Sequence, residues 1–255
     1  VPGLKIAFQA SSADHAQEAI KHLAALYGNV ALDDADVIVA LGGDGFMLQM
    51  LHDEMNTGRL VYGMNRGTIG FLMNDYDDKD LLGRIDAAVE NIIHPLEMKA
   101  TNAYGDELTA LAINEVSLLR QSYQAAKIKV YVDDKPRLEE LICDGVMVAT
   151  PAGSTAYNLS AHGPILPLDA RLLAMTPVSP FRPRRWRGAL LPDNAHVKFE
   201  IAEPDKRPVN AVADHLEVKT VTSVEICQSE NNTTRILTDS SHSWNDRILA
   251  EQFAY

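Results

Sequence analysis

Cysteine is scarce: Cys143 and Cys227 are the only two in 255 residues. That supply argues against a disulfide framework and suits a reduced compartment, with both thiols read as small buried or half-buried residues. Long apolar runs are missing as well. None approaches the ~20 residues that a membrane span needs. The opening Val1-Pro2-Gly3-Leu4-Lys5 has no basic segment ahead of a long apolar one. No secretory leader is therefore read, and the cytoplasm is the expected location. Positive charge is in deficit, with a formal net charge of −12. No global positive field would steer a nucleic acid or an anionic membrane, so neither is an expected partner. A polyanionic substrate would need local donors or a metal. There is no Cys/His spacing for zinc, no Walker lysine after a glycine loop, no internal repeat and no low-complexity segment.

What is present centres on Leu41-Gly42-Gly43-Asp44-Gly45-Phe46-Met47-Leu48. The β-forming run Asp36–Leu41 leads into it, and a helical pattern from Phe46 to Met55 leads out. A carboxylate thus sits among three glycines at the carboxyl end of a buried strand, where open α/β sheets place ligands. Glycines permit positive φ and close approach of phosphates, and a helix start offers N–H groups to an anion. A negative side chain in such a place suits proton removal from a hydroxyl or metal binding. The competing reading is a tight turn with Asp44 as N-cap.

Strands are expected at Leu4–Gln9, Asp36–Leu41 and Leu60–Met64, alternating with helices at Asp14–Tyr27, Phe46–Met55 and Asp78–Asn91. That alternation predicts a Rossmann-like α/β domain with a parallel sheet over residues 1–95. From Leu96 to Leu237 short strands and tight turns dominate, the pattern of an all-β sandwich. A helical pattern returns after Ser243, with Ile248, Leu249 and Phe253 on one face. Residues 238–255 are therefore expected to complete the first domain, as a helix packed on it.

Three further stretches carry chemistry. Asn65-Arg66-Gly67-Thr68-Ile69-Gly70-Phe71-Leu72 is a second glycine-spaced loop after a strand. Asn114-Glu115 ends a strand. As a pair they are a turn, or a reader in which Asn meets the edge of adenine and Glu accepts from ribose hydroxyls. Asp144-Gly145 leads through a strand into Thr150-Pro151-Ala152-Gly153-Ser154-Thr155-Ala156-Tyr157-Asn158-Leu159-Ser160. Here Ser154 and Thr155 are candidate caps, and Tyr157 a platform for a base.

Together and in this order, these motifs resemble the NAD kinase family. The resemblance runs from Leu4 to about Asp214 and is most specific at Asn114-Glu115 and Gly153–Ser160. It implies an α/β domain, a β-sandwich and a C-terminal segment returning to the first domain. Asp44 would be the catalytic carboxylate, with Gly45 beside it at the substrate and Phe71 lining the pocket. Asn114 and Glu115 would hold the adenosine half of NAD, and Asp144 would meet the nicotinamide half. Thr155, Ala156, Tyr157, Ser160 and His215 would line the dinucleotide site. Gly42, Gly43, Asn65, Arg66 and Asp214 would stand near the phosphates. The chain departs from the family pattern at Phe46 and Ala152, where hydroxyl residues are usual.

The resemblance implies phosphoryl transfer from ATP or polyphosphate to the 2′-hydroxyl of the adenosine ribose of NAD, giving NADP. Mg2+ or another divalent cation would assist, with no ligand set assigned. A homodimer or homotetramer is implied too. Two other readings share the Gly42–Gly45 turn: a diacylglycerol-type lipid kinase and a non-catalytic NADP(H)-binding sensor. The acidic charge counts against the first, and a carboxylate beside phosphate against the second. Arg182, Arg184, Arg185 and Arg187 form a dense basic cluster in this acidic chain. It is read as a solvated loop, or as a contact for phosphate or a neighbouring subunit.

Overall fold

The computed structural model describes residues 3–67, 70–240 and 253. The chain divides into two units, Val1–Ile93 with Asn232–Tyr255, and His94–Asn231. The expected helix after Ser243 lies outside the described residues, apart from Phe253 in a turn.

The first unit begins β1 (Ile6–Ala10), α1 (Asp14–Tyr27), β2 (Val37–Gly42), α2 (Asp44–Asp53), β3 (Leu60–Asn65), α3 (Leu81–Ala87) and β4 (Val89–Ile93). α1 has the expected bounds. Ala16, Ala19 and Leu23 are buried at helical spacing, and Gly28 closes the helix at φ 78° with its N–H on the Ala24 carbonyl. β1, β2 and β3 pair in parallel. Every residue of β2 is buried, as a strand covered on both faces requires. Val37, Val39 and Leu41 share one apolar cluster with α1, α3, Tyr62 and Met64. The opposite face carries Gly63, where an added methyl group would meet the Met47 sulfur of α2 at 3.0 Å. The sheet is therefore wound with helices on both faces.

Two expectations are corrected. The helix predicted over Asp78–Asn91 is only Leu81–Ala87, and Val89–Ile93 is a strand. β-branched residues at Val89, Ile92 and Ile93 favour the extended chain once a sheet edge is offered. The strand at Thr234–Thr238 belongs to the first sheet and not to the sandwich. It runs parallel to β3 and antiparallel to β4, filling the place between them.

The second unit is built from β5 (Leu96–Asn102), β6 (Glu107–Ala112), β7 (Glu115–Arg120), β8 (Ala126–Val132), β9 (Lys135–Cys143), β10 (Gly145–Ala149), β11 (Leu172–Val178), β12 (Ala189–Pro192), β13 (Val197–Ile201), β14 (Val209–Ala213), β15 (Leu216–Val218) and β16 (Val221–Gln228). Among the described residues they form two six-stranded sheets, β12-β11-β10-β7-β14-β15 and β6-β5-β16-β13-β8-β9. All pairings are antiparallel, as in Gly145–Ala149 against Leu172–Val178. β8 alternates buried and half-buried residues along its whole length. Inward residues of both sheets, such as Val116, Leu118, Val130 and Phe199, share one core, which makes the pair a sandwich. β11 was not expected. Its Pro177 lies beyond the stretch paired with β12, where the missing N–H is tolerated. Among the described residues no helix is long and apolar enough to cross a membrane.

Candidate active site

The candidate residues fall into two groups, one in each unit. In the first, β2 delivers the chain into Gly42-Gly43, and α2 starts at Asp44 with extended Gly43 (φ −118°, ψ −176°) as its N-cap. Contrary to expectation, the glycines do not serve positive φ, since Gly42, Gly43 and Gly45 all lie outside that region. They serve space. A methyl group at Gly42 would lie 2.9 Å from Phe46, while the positions above Gly43 and Gly45 are open. A ligand can therefore approach the backbone there.

Asp44 is not a capping residue. Its Oδ2 accepts the Phe71 N–H at 2.8 Å and its Oδ1 the Leu72 N–H at 2.9 Å. The two glycine loops are thus joined through one carboxylate. Phe71 is brought next to Asp44 by its backbone. Asn65 Oδ1 accepts the Gly67 N–H at 2.7 Å, and the Arg66 N–H donates to the Gly42 carbonyl at 2.6 Å. The Arg66 guanidinium lies over the Tyr76 ring, 4.3 Å from its centroid, so its charge is docked on the unit's own surface.

In the second unit, Asn114 and Glu115 enter β7. Asp214, in the turn between β14 and β15 at φ 50°, holds them. Its carboxylate accepts the N–H groups of Ile113 at 2.7 Å, Asn114 at 3.0 Å and Glu115 at 3.2 Å. Hydrogen bonds to a charged acceptor contribute ~1.5–3 kcal/mol each. Asp214 is therefore an anchor for the Asn-Glu segment, a role the sequence did not show. Thr150 holds it from the other side, its hydroxyl donating to the Ile113 carbonyl at 2.6 Å and its N–H to the Asn114 carbonyl at 2.9 Å. Gly153 is obligatory, because a methyl group there would overlap the Asn114 carbonyl.

So fixed, Asn114 Oδ1 and Glu115 Oε2 are buried with no hydrogen-bond partner. Burial, helped by the Asp214 charge, raises the Glu115 carboxyl to about 8, while the Tyr157 N–H opposes the shift. Burial also raises the Tyr157 phenol, with smaller contributions from Glu115 and Asp144. Asp144 Oδ1 accepts from Arg120 Nε at 2.6 Å, a partner 24 residues away in sequence. Glu115 and Tyr157 are therefore neighbours, and Asp144 lies close enough for its charge to act on the Tyr157 phenol. His215 is exposed on the turn after Asp214.

The helix that Ser154 and Thr155 are expected to cap is instead a 3-10 turn, Ala152–Thr155, and a single helical turn, Tyr157–Ser160. Neither Ser154 nor Thr155 caps. The Ser154 hydroxyl donates to the Pro151 carbonyl at 2.7 Å and accepts the Leu166 N–H at 3.0 Å. Buried Asn158 stitches the turn shut through the Ser154 and Pro164 carbonyls and the Thr176 hydroxyl. Thr155, Ala156, Tyr157 and Ser160 thus sit on a rigid turn. Arg182 and Arg184 lie over the half-exposed Phe181 ring, 5.6 and 5.2 Å from its centroid.

Comparison with known proteins places the chain among relatives. The family profile described as the ATP-NAD kinase C-terminal domain matches residues 113–238. The chain is 68% identical to an NAD kinase of Rhizobium meliloti over 98% of this chain and 97% of that one. It is 56% identical to an NAD kinase of Caulobacter vibrioides over 98% and 96%. A yeast NADH kinase in complex with NADH shares the fold with a TM-score of 0.83 at 20% identity, covering 100% of this chain and 90% of that one. An NAD kinase from Archaeoglobus fulgidus in complex with ATP gives 0.77 at 20% identity, covering 98% and 100%.

Proposed function

The chain belongs to the NAD kinase family, and from that premise we propose how its residues divide the phosphorylation of NAD. The observation that carries the proposal is the pair of buried acceptors without partners, Asn114 Oδ1 and Glu115 Oε2. Buried acceptors cost stability unless a donor arrives. An adenine amino group and ribose hydroxyls are donors of the right kind. Asn114 and Glu115 therefore take the adenosine of NAD, with Tyr157 as the stacking surface and Asp144 toward the nicotinamide half.

Asp44 orients the 2′-hydroxyl and takes its proton as the phosphoryl group arrives. Such a site works by positioning and proton removal. ATP is the donor we favour, since a relative of the same fold was solved with it. The open backbone at Gly43 and Gly45 is where its phosphates would approach. Among the described residues no three His, Cys, Asp or Glu side chains gather to cage a metal. A divalent cation would neutralise the charge of the donor's phosphates. The matched relatives favour neither the lipid-kinase nor the sensor reading.

A homodimer or homotetramer in the cytoplasm completes the proposal. The arginine cluster offers an acidic chain a positive contact, and both cysteines are free. The test is NADP formation by the purified chain, with NAD or NADH as acceptor and ATP or polyphosphate as donor. NADP formation from NAD and ATP is expected. Turnover with polyphosphate alone would overturn the donor assignment.

A further inference from the structure

Asp44 is held by the N–H groups of Phe71 and Leu72, so whatever fixes those two residues fixes the carboxylate. Two residues on, Asn74 is 1% exposed and bonded at every polar position of backbone and side chain. Its N–H donates to the Gly63 carbonyl at 2.8 Å, and its carbonyl accepts the Asn65 N–H at 2.7 Å. That is one parallel bridge onto the end of β3. Its side chain repeats the act on the other neighbour. Nδ2 donates to the Leu237 carbonyl at 3.1 Å, and Oδ1 accepts the Asp239 N–H at 2.9 Å. Asn74 thus joins the end of β3 to the end of the Thr234–Thr238 strand, with backbone on one side and amide on the other. Asp239 is itself fixed by the Tyr62 hydroxyl and by Arg84 Nη2.

Packing repeats the constraint. Met73, 2% exposed, lies over Gly63, where a methyl group would come within 2.6 Å of its sulfur. Met47 of α2, the helix that Asp44 begins, lies over the same glycine at 3.0 Å. The glycine in β3 is thus a notch that seats both the loop and the helix.

We propose that Asn74 is a positioning residue for Asp44, fixing the Phe71 and Leu72 N–H groups against β3 and the Thr234–Thr238 strand, with Met73 in the Gly63 notch as its second fastening. The proposal rests on the catalytic reading of Asp44. It requires that loosening Asn74 be felt at the chemical step and not in the hold on adenosine, since Asn114 and Glu115 lie on other strands.

The test is a kinetic double-mutant cycle on the full chain with NAD and ATP, comparing the parent, Asn74→Ala, Asp44→Asn and the double variant. A one-ångström displacement of a reacting group costs up to about 10²-fold, so Asn74→Ala should lower kcat by about 10-fold or more while KM for NAD moves less than about threefold. In the Asp44→Asn background the same change should lower kcat no further, within about twofold. Additive losses, or a loss confined to KM, would overturn the proposal. If Asp44→Asn alone leaves kcat intact, the catalytic reading fails instead, and the two failures are distinguished. Should Asn74→Ala not fold, Gly63→Ala enters the same cycle. It displaces Met73 without removing a hydrogen bond, and the same non-additivity is expected. Additivity of that pair would count equally against the proposal.

Discussion

Asp44 and Glu115 are carboxylates at the ends of strands in two different units, and they are treated in opposite ways. Both oxygens of Asp44 are engaged by backbone N–H groups of the chain itself. One oxygen of Glu115 is buried with nothing to bond, and its carboxyl is pushed up to about 8. A group already satisfied by the protein is fixed and ready for chemistry. A group left unsatisfied favours whichever ligand brings donors. The sharpest way to break this contrast is Asp44→Asn. The amide turns a donor toward one of the two N–H groups and removes the base, so kcat should fall by at least ~10²-fold, the scale of a lost general base. Near-normal kcat in the purified variant would reduce Asp44 to a turn residue.

Asp214→Ala attacks the other side through its anchor. Three N–H groups lose their acceptor, and the Asn114-Glu115 segment loses its register. KM for NAD should rise about 10- to 100-fold, the equivalent of ~1.4–2.8 kcal/mol. The melting temperature should fall too. A variant that melts earlier but binds NAD normally would separate the anchor from the site.

Glu115→Gln is milder, because a protonated acid and an amide carry the same charge. At neutral pH, KM for NAD should rise by about three- to tenfold, with kcat changed less, since ribose binding is shared by ground and transition states. An unchanged KM would remove Glu115 from the adenosine site.

The smallest effect is in pH. A carboxyl raised from 4.5 to about 8 favours the folded state fully below pH 4.5, and that contribution is lost as pH rises through about 8. The unliganded parent should therefore lose stability across that window relative to Glu115→Gln. Its KM for NAD should fall over the same range, as ionised Glu115 becomes the better acceptor. Thermal melts and kinetics at pH 6 to 9 would show both trends, and parallel curves for parent and variant would sink the assignment.

Local pattern carried much of this. α1 was legible because its apolar spacing, its polar face and Gly28 agree. The glycine-carboxylate turn was legible because an apolar strand runs straight into it. β11 was not, since Leu172–Val178 neither alternates nor abounds in β-branched residues and contains Pro177. The place of the Thr234–Thr238 strand was hidden because it is set by pairing with Leu60–Tyr62, far away in sequence. The anchoring by Asp214 was hidden for the same reason, about 100 residues from Asn114. Glu115 could be named from its neighbour, but its missing partner is a property of burial, which no spacing reports.

The late strand has a consequence for the order in which the molecule can be made. Among the described residues, β4 meets the first sheet only through Thr234–Thr238. On the ribosome, the amino-terminal unit therefore emerges with β3 open at one edge and β4 unattached, while the whole sandwich, His94–Asn231, is synthesised. The usual rule that the first domain folds first is inverted. The contiguous sandwich can complete itself early. The unit that carries Asp44 must wait, with an exposed parallel edge, for a strand that is synthesised after the whole sandwich. That edge is where association with other nascent chains is to be expected when translation is fast or chaperones are scarce.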